Sequence, residues 1–441
     1  MKKTFLTGLS VVLAGAFTLT AFGCGGAKRD KSKINDFEPS YYSSCRILES
    51  IDWVGQVTGE KSISQTYTRF NVGGCDLGVP LYNSKNDTMY VFFGDTFMGH
   101  TELAGDWRSN VCLMSKDFNL SDGIYFDTAV MDEKTENRAR AIIDGLHQDG
   151  IEITKIPTGG IEVNGNLYMF FFDKNSWSVT REYSMNYGGC VKSSDNGKTW
   201  EKLHELTWAD HLEIRQTGQL SKTKLEWLIN LDIDNRESDK SGDIDVSEHV
   251  GYYFTQIAPV DGKDGYVYIL GEGGYRTYGI KLGRVKKENF EKFNEYEYFV
   301  GTETDGTPVW EKGFEGLEIA DYSDDAFIIN GACGEHSVAY NAYLKKWIVS
   351  YLSMGNGLAF RLADNIWGPY GEEYVVYSGK DAASVLPADL GERGGLYGSF
   401  IHEEWMEGNG RVMYMVCSYY KPYYNAFMLR LQFPESLKAE A

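Results

Sequence analysis

Two aspartates stand at matching distances on either side of one polar turn. Gly73-Gly74-Cys75-Asp76 leads into the apolar run Leu77 to Tyr82, and a second run, Met89 to Phe93, ends in Gly94-Asp95-Thr96. Between them lies Asn83-Ser84-Lys85-Asn86-Asp87, a composition that predicts a turn between two strands. Paired antiparallel, the strands bring Asp76 and Asp95 face to face at the open end. Neighbouring strands lie roughly 4.8 Å apart, so the carboxyl groups fall within about 5–10 Å of each other. That is the spacing at which a carboxyl pair hydrolyses a glycosidic bond, one acid protonating the leaving oxygen and one carboxylate activating water or attacking. The alternative reading makes one aspartate a turn cap and the other a solvated strand end.

The elements that would position this pair recur along the chain. Ile156 to Gly160 passes through Asn164-Gly165-Asn166 to Leu167–Asp173. Gln256 to Pro259 passes through Asp261 to Gly265 and on to Tyr266–Glu272. Gly334 to Val338 leads to Trp347–Tyr351, and Tyr397 to Phe400 leads to Val412–Ser418. A third strand-like run follows each hairpin, at residues 110–115, 189–193, 278–282, 358–361 and 425–430. Five such units describe an all-β fold, a five-bladed β-propeller spanning 45–435; two packed β-sandwiches would not explain the repeated order. Helical periodicity is scarce, and clearest from Asp132 to Leu146.

Ser193-Ser194-Asp195-Asn196-Gly197-Lys198-Thr199-Trp200 matches the S-x-D-x-G-x-T-W "Asp box" at every fixed position. Its chemistry is structural. The Asp side chain holds the turn amides, Gly takes an unusual φ and Trp packs beneath. In a propeller, hairpin starts and strand ends collect on one face, here Asp76, Asp95, Asp173, Glu272 and Glu335, with His336 nearby. Carboxylates among aromatics suit a carbohydrate.

The chain opens Met1-Lys2-Lys3, then an apolar run from Phe5 to Phe22 before Gly23-Cys24. This reads as a secretory signal, residues 1–24, with Cys24 as a lipidated first residue and 25–44 as a tether. An uncleaved anchor is the alternative. Export to the cell envelope, a membrane contact through the lipid and a monomeric chain are therefore expected, with 436–441 as a tail. The net charge of −20 argues against nucleic acid and favours a neutral substrate. Cys45, Cys75, Cys112, Cys190, Cys333 and Cys417 show no metal-ligand spacing and fall largely in strand-like runs, so buried free thiols are expected. The acidic loop Asp232 to Arg236 and Asp243 to Asp245 lacks the spacing of a calcium loop. No metal or cofactor is expected.

Gly74-Cys75-Asp76-Leu77-Gly78 with Phe93-Gly94-Asp95-Thr96 resembles the GxDLG…FGDT opening of a bacterial domain family of unknown function whose characterised members are endo-D-arabinanases, glycoside hydrolase family 183. Gly273-Gly274-Tyr275-Arg276, Gly334-Glu335-His336-Ser337 with Trp347, and Tyr397-Gly398-Ser399-Phe400 resemble its later blades. Cys75 and Gly279 depart from the family pattern. The resemblance implies a five-bladed propeller with two essential aspartates, carried onto Asp76 and Asp95. On this basis the chain is expected to cleave a D-arabinan internally with inversion, Asp76 as base and Asp95 as acid. Glu335, Arg276, Tyr275, Asp173 and Glu272 are candidate substrate contacts, against structural roles for Glu335 and Arg276. Two alternatives stand beside this: a propeller glycosidase of the L-arabinan or xylan type, which would use Asp76 with Asp173 or Glu335, and a glycan-binding lipoprotein without catalysis. A sialidase would need three arginines at blade starts, which the chain lacks.

Overall fold

The computed structural model describes residues 45–179, 183–210, 219–231, 244–378, 395–421 and 423–439. Cys24, the tether and most of the acidic loop lie outside these. Five antiparallel sheets form the blades, and their inner strands are Leu77–Asn83, Thr154–Val163, Gln256–Asp261, Cys333–Asn341 and Leu396–Phe400. Each inner strand packs against the inner strands of both neighbouring blades, which closes a five-membered ring. Every inner strand hairpins back into a second strand, followed by a third, in the positions the repeats predict. The fold is the expected five-bladed propeller.

The second strand of blade 1, Thr88–Phe93, is buried at every residue. Trp200 of blade 2 packs on Phe92 and Phe126 packs on Phe93, so both faces are covered and the strand reads as a continuous apolar run and not as an alternation. Blade 5 is completed from the other end of the chain. Ser50–Gln56 pairs antiparallel with Asn425–Gln432 as its outermost strand. The sequence reading did not identify this strand.

Four of the five inner strands carry a register shift, between Leu77 and Val79, Pro157 and Gly159, Cys333 and His336, and Tyr397 and Phe400. Such bulges re-aim side chains. In blade 1 the bulge puts Leu77 at φ 64 directly after Asp76. Gly78 follows at φ 135, and a Cβ there would lie 2.5 Å from a methyl of Val416, so glycine alone lets blades 1 and 5 meet.

The Asp box forms as its residues require. Asp195 accepts from the amides of Lys198 and Thr199 and from the hydroxyls of Ser193 and Thr199. Gly197 takes φ 79, and Trp200 packs edge-on to Phe92 of blade 1. The six described cysteines are buried free thiols, as expected. The helix expected over Asp132–Leu146 does not form. Met131 bridges Ala139, and the side-chain carbonyl of Asn110 accepts from the amides of Ile142 and Ile143. Tertiary hydrogen bonds take the backbone groups a helix would use, and Ala139, Ile142 and Ile143 are buried along an irregular path.

Removing the four acceptor contacts of Asp195 in Asp195→Ala should lower stability by about 2 kcal/mol, read as a lower urea midpoint at unchanged slope.

Candidate active site

Asp76 leaves its strand at the bulge, between blades 1 and 5. Its Oδ2 accepts a hydrogen bond from the Tyr397 hydroxyl at 2.8 Å, and the nearby Tyr424 phenol also favours the ionised carboxyl. Oδ1 is shut away from solvent with no hydrogen-bond partner. It lies over Gly94, where a Cβ would come within 2.2 Å of it. The glycine before Asp95 therefore makes room for the other carboxyl. The Gly94 amide donates to the Asp76 carbonyl at 3.0 Å, tying the two acidic segments together.

Asp95 is 6% exposed. Its Oδ1 accepts from the Trp107 indole at 2.8 Å and from the Thr154 hydroxyl of blade 2. With two donors on Oδ1, a proton on this carboxyl belongs on Oδ2. His147 packs tilted against Trp107 with ring centroids 4.1 Å apart and bonds Asp144 at 3.1 Å.

Both carboxyls titrate well above the ordinary range. Burial pushes Asp76 up to about 6, resisted by the bonds from Tyr424 and Tyr397. Burial pushes Asp95 up to about 7, resisted by Thr154, while the charge of Asp76 adds to the rise. Each aspartate is held by neutral donors, and neither has a salt bridge among the described residues. The arrangement can hold one proton between two carboxyls near neutrality.

Around the pair, Arg276 of blade 3 reaches across to blade 4. Its Nε donates to Glu335 Oε1 at 2.9 Å, and its guanidinium lies 4.9 Å from the rings of both Tyr275 and Tyr397. Tyr275 and Arg276 both adopt left-handed conformations, φ 45 and φ 66. Glu335 Oε2 is buried without a partner. Arg276, Glu335 and Tyr275 thus gather beside Asp76, with Arg276 and Glu335 paired to each other. Asp173 and Glu272 lie deeper, with no exposure. Asp173 accepts from Asn186 and sits 3.3 Å from Lys155, which also pairs with Glu152. Glu272 accepts from the amides of Thr277 and Tyr278, folding the loop that presents Arg276. Neither side chain can touch a substrate in this conformation, because protein groups enclose both. His336 is likewise buried, between the carbonyls of Gly334 and Leu270.

A family model described as "Domain of unknown function (DUF4185)" matches residues 61–430. The chain belongs to the DUF4185 family. No curated protein sequence matches it. Among solved structures, this DUF4185 propeller is similar to a "putative hydrolase" from Bacteroides ovatus, at TM-score 0.51 and 11% identity, over 87% of this chain and 90% of that one. It is also similar to a xylan beta-1,4-xylosidase from Bacillus halodurans, at TM-score 0.41 and 10% identity, over 83% and 54%. An exo-beta-1,3-galactanase from Phanerochaete chrysosporium gives TM-score 0.42 and 8% identity, over 88% and 68%. At these identities the likeness concerns the fold.

Sequence reasoning missed the donors that hold the DUF4185 acid pair: Tyr397, Tyr424, Trp107 and Thr154. Tyr397 lay within the motif quoted for the last blade and Tyr424 directly before its third strand, and those positions were a usable signal. Trp107 and Thr154 carried none. Among the described residues no group of three or more His, Cys, Asp or Glu could hold a metal ion, and no helix is long and apolar enough to cross a membrane.

Because Asp95 titrates at about 7 when folded and at 3.8 ordinarily, the folded state binds the extra proton between those values. Its contribution to stability is therefore lost as pH rises through that window. Asparagine keeps an acceptor for Trp107 and Thr154 without the charge. Asp95→Asn should gain roughly 2–4 kcal/mol at pH 8, with the gain shrinking towards pH 4, measured by thermal unfolding across pH.

Proposed function

We propose that this DUF4185 propeller is an inverting glycoside hydrolase that cuts a neutral polysaccharide within the chain, a D-arabinan being the polymer its family resemblance implies. The observation that carries the reading is the acid pair itself. Two desolvated carboxyls on adjacent strand ends titrate at about 6 and about 7, each held by neutral donors. Asp95, the higher of the two, is the general acid and gives its Oδ2 proton to the leaving oxygen. Asp76, kept ionised by Tyr397 and Tyr424, is the base that takes a proton from the attacking water. The water adds to the anomeric carbon as the glycosidic bond breaks, and the exchanged protons leave Asp76 protonated and Asp95 ionised. Solvent then resets the pair.

A glycan-binding role without catalysis gains support from carboxylates neutralised by basic partners. Instead, the pair is uncompensated, which favours chemistry over simple binding. The L-arabinan or xylan type would enlist Glu335, whose Oε1 is already tied to Arg276. The Met1–Cys24 segment supports export with a lipid on Cys24, which mass spectrometry of the mature protein tests.

Incubation with D-arabinan-containing arabinogalactan should release oligosaccharides, and Asp76→Asn and Asp95→Asn should each lose at least about 100-fold of that rate. The first-formed anomer, read by NMR, should be inverted. Release that survives Asp95→Asn would instead place the chemistry on Asp76 with Glu335.

The rate should follow a bell-shaped pH profile, rising as Asp76 ionises near 6 and falling as Asp95 ionises near 7. Tyr397→Phe removes a donor to ionised Asp76, so its acidic limb should move to higher pH and narrow the bell. An unmoved limb would count against Asp76 as the base.

A further inference from the structure

Aromatic contacts run outward from Asp76 in two directions, and each line ends in an exposed ring. On one side, the Tyr397 hydroxyl bonds Asp76, Arg276 lies 4.9 Å over Tyr397 and over Tyr275, and Tyr275 meets Trp177 edge-on at 5.8 Å. On the other side, the Tyr424 carbonyl accepts from the amide of Cys75, the residue before Asp76, at 2.8 Å, and the Tyr424 ring meets Tyr420 at right angles, 6.2 Å between ring centres. Trp177 is 48% exposed and Tyr420 is 42% exposed.

The positions follow from the fold. Trp177 lies just after the second strand of blade 2, Asn166–Lys174, and Tyr420 just after the second strand of blade 5, Val412–Tyr419. Second strands end on the face where Asp95 ends its own, so both rings stand on the face of the acid pair, in the two blades that flank blade 1.

Neither ring is loose. The Lys174 ammonium sits 4.6 Å from the centre of the Trp177 ring and 3.8 Å from that of Tyr275, while donating to Ser184 Oγ. Lys174 is itself 1% exposed. Lys421 stands 5.3 Å from the Tyr420 ring. Tyr275, which braces Trp177, is held at a left-handed φ of 45, and strain of this kind persists only where surrounding structure enforces it. Single exposed aromatics are ordinary on a protein surface. Two exposed rings, each packed on an inner tyrosine beside the segment that carries Asp76, are not scattered.

We propose that Trp177 and Tyr420 are the outer sugar-stacking platforms of a cleft that extends to both sides of Asp76 and Asp95. This rests on the reading of the protein as a glycoside hydrolase and specifies how it holds its polymer. Sugar rings present flat C–H faces that bury against an aromatic ring, while their hydroxyls stay wet. Platforms on both sides of the acid pair grip a chain across the bond to be broken, which selects internal cleavage over removal of terminal units.

The test separates holding from cutting. In Asp95→Asn protein, binding of D-arabinan-containing arabinogalactan is measured by affinity electrophoresis, and each of Trp177→Ala and Tyr420→Ala is added. Each should weaken binding by about tenfold, and the two together by about a hundredfold. Trp177→Phe should stay within about threefold of its parent, which separates loss of the platform from loss of folding. In the otherwise native enzyme, the same alanine variants should raise KM for the polymer and leave kcat for a short oligosaccharide unchanged. Unchanged polymer binding in the double variant, with cleavage intact in the native enzyme, overturns the platforms and spares the hydrolase. Binding by a neutral glycan that the native enzyme does not cut, lost on both substitutions, supports the platforms and overturns the hydrolase. Equal loss of kcat on short and long substrates overturns the platforms.

Discussion

The active face depends on closure of the ring. Ser50–Gln56, from the start of the described chain, completes the sheet built by its end, pairing with Asn425–Gln432. The hydrogen bonds continue inward from that seam. Val57 donates to the Ala426 carbonyl, Thr58 bonds the Asn425 side chain, and the Cys75 amide donates to the Tyr424 carbonyl. Leu77 donates to Ser418 Oγ at 2.7 Å. Asp76 sits in the middle of this seam, so its two phenol partners are supplied by blade 5 although it belongs to blade 1. Cys75, the departure from the family pattern, bonds the Thr58 hydroxyl at 3.3 Å, so a thiol makes the polar contact at that position.

The pair is held without a cation in direct contact. A guanidinium bonded to either aspartate would drive its pKa down and leave no proton to donate. The nearby cation, Arg276, is instead engaged by Glu335 and separated from Asp76 by the Tyr397 ring. The phenols, the indole and the threonine hydroxyl satisfy the carboxylates as dipoles, which orient them while leaving burial in control of their protonation. Gly94 and the bulge at Leu77 are the backbone devices that let two carboxyls share so small a space.

Much of this was legible from residue order. The repeated hairpins, their turns and the third strands followed from local apolar runs bounded by Gly, Asn and Asp, and the Asp box carried its hydrogen bonds in its spacing. Asp76 and Asp95 could be paired because both flank one turn. What escaped was non-local. Trp107 and Thr154 meet Asp95 from a two-residue strand and from the next blade, and no spacing encodes that meeting. The apolar rhythm of 132–146 reflects packing against blade 1, and the Asn110 side chain, not an internal ladder, takes its amides. Asp173 and Glu272 end second strands in the same pattern as Asp95, yet Lys155 and the amides of Thr277 and Tyr278 draw them inward. Strand position alone could not separate a partly exposed carboxylate such as Asp95 from the fully enclosed Asp173 and Glu272.

The seam between first and last blades also sets an order of events in time. Asp76 and Tyr397 are 321 residues apart in the chain. A nascent polypeptide emerging N-terminus first carries both aspartates long before their blade 5 partners exist, so its early blades cannot bury or tune the pair. Contacts of such long range also make folding slow, because chain entropy must be lost before they form. Under the proposed function the last blade is then a biosynthetic lock: a chain stopped before it carries both aspartates without the Tyr397 phenol that holds Asp76.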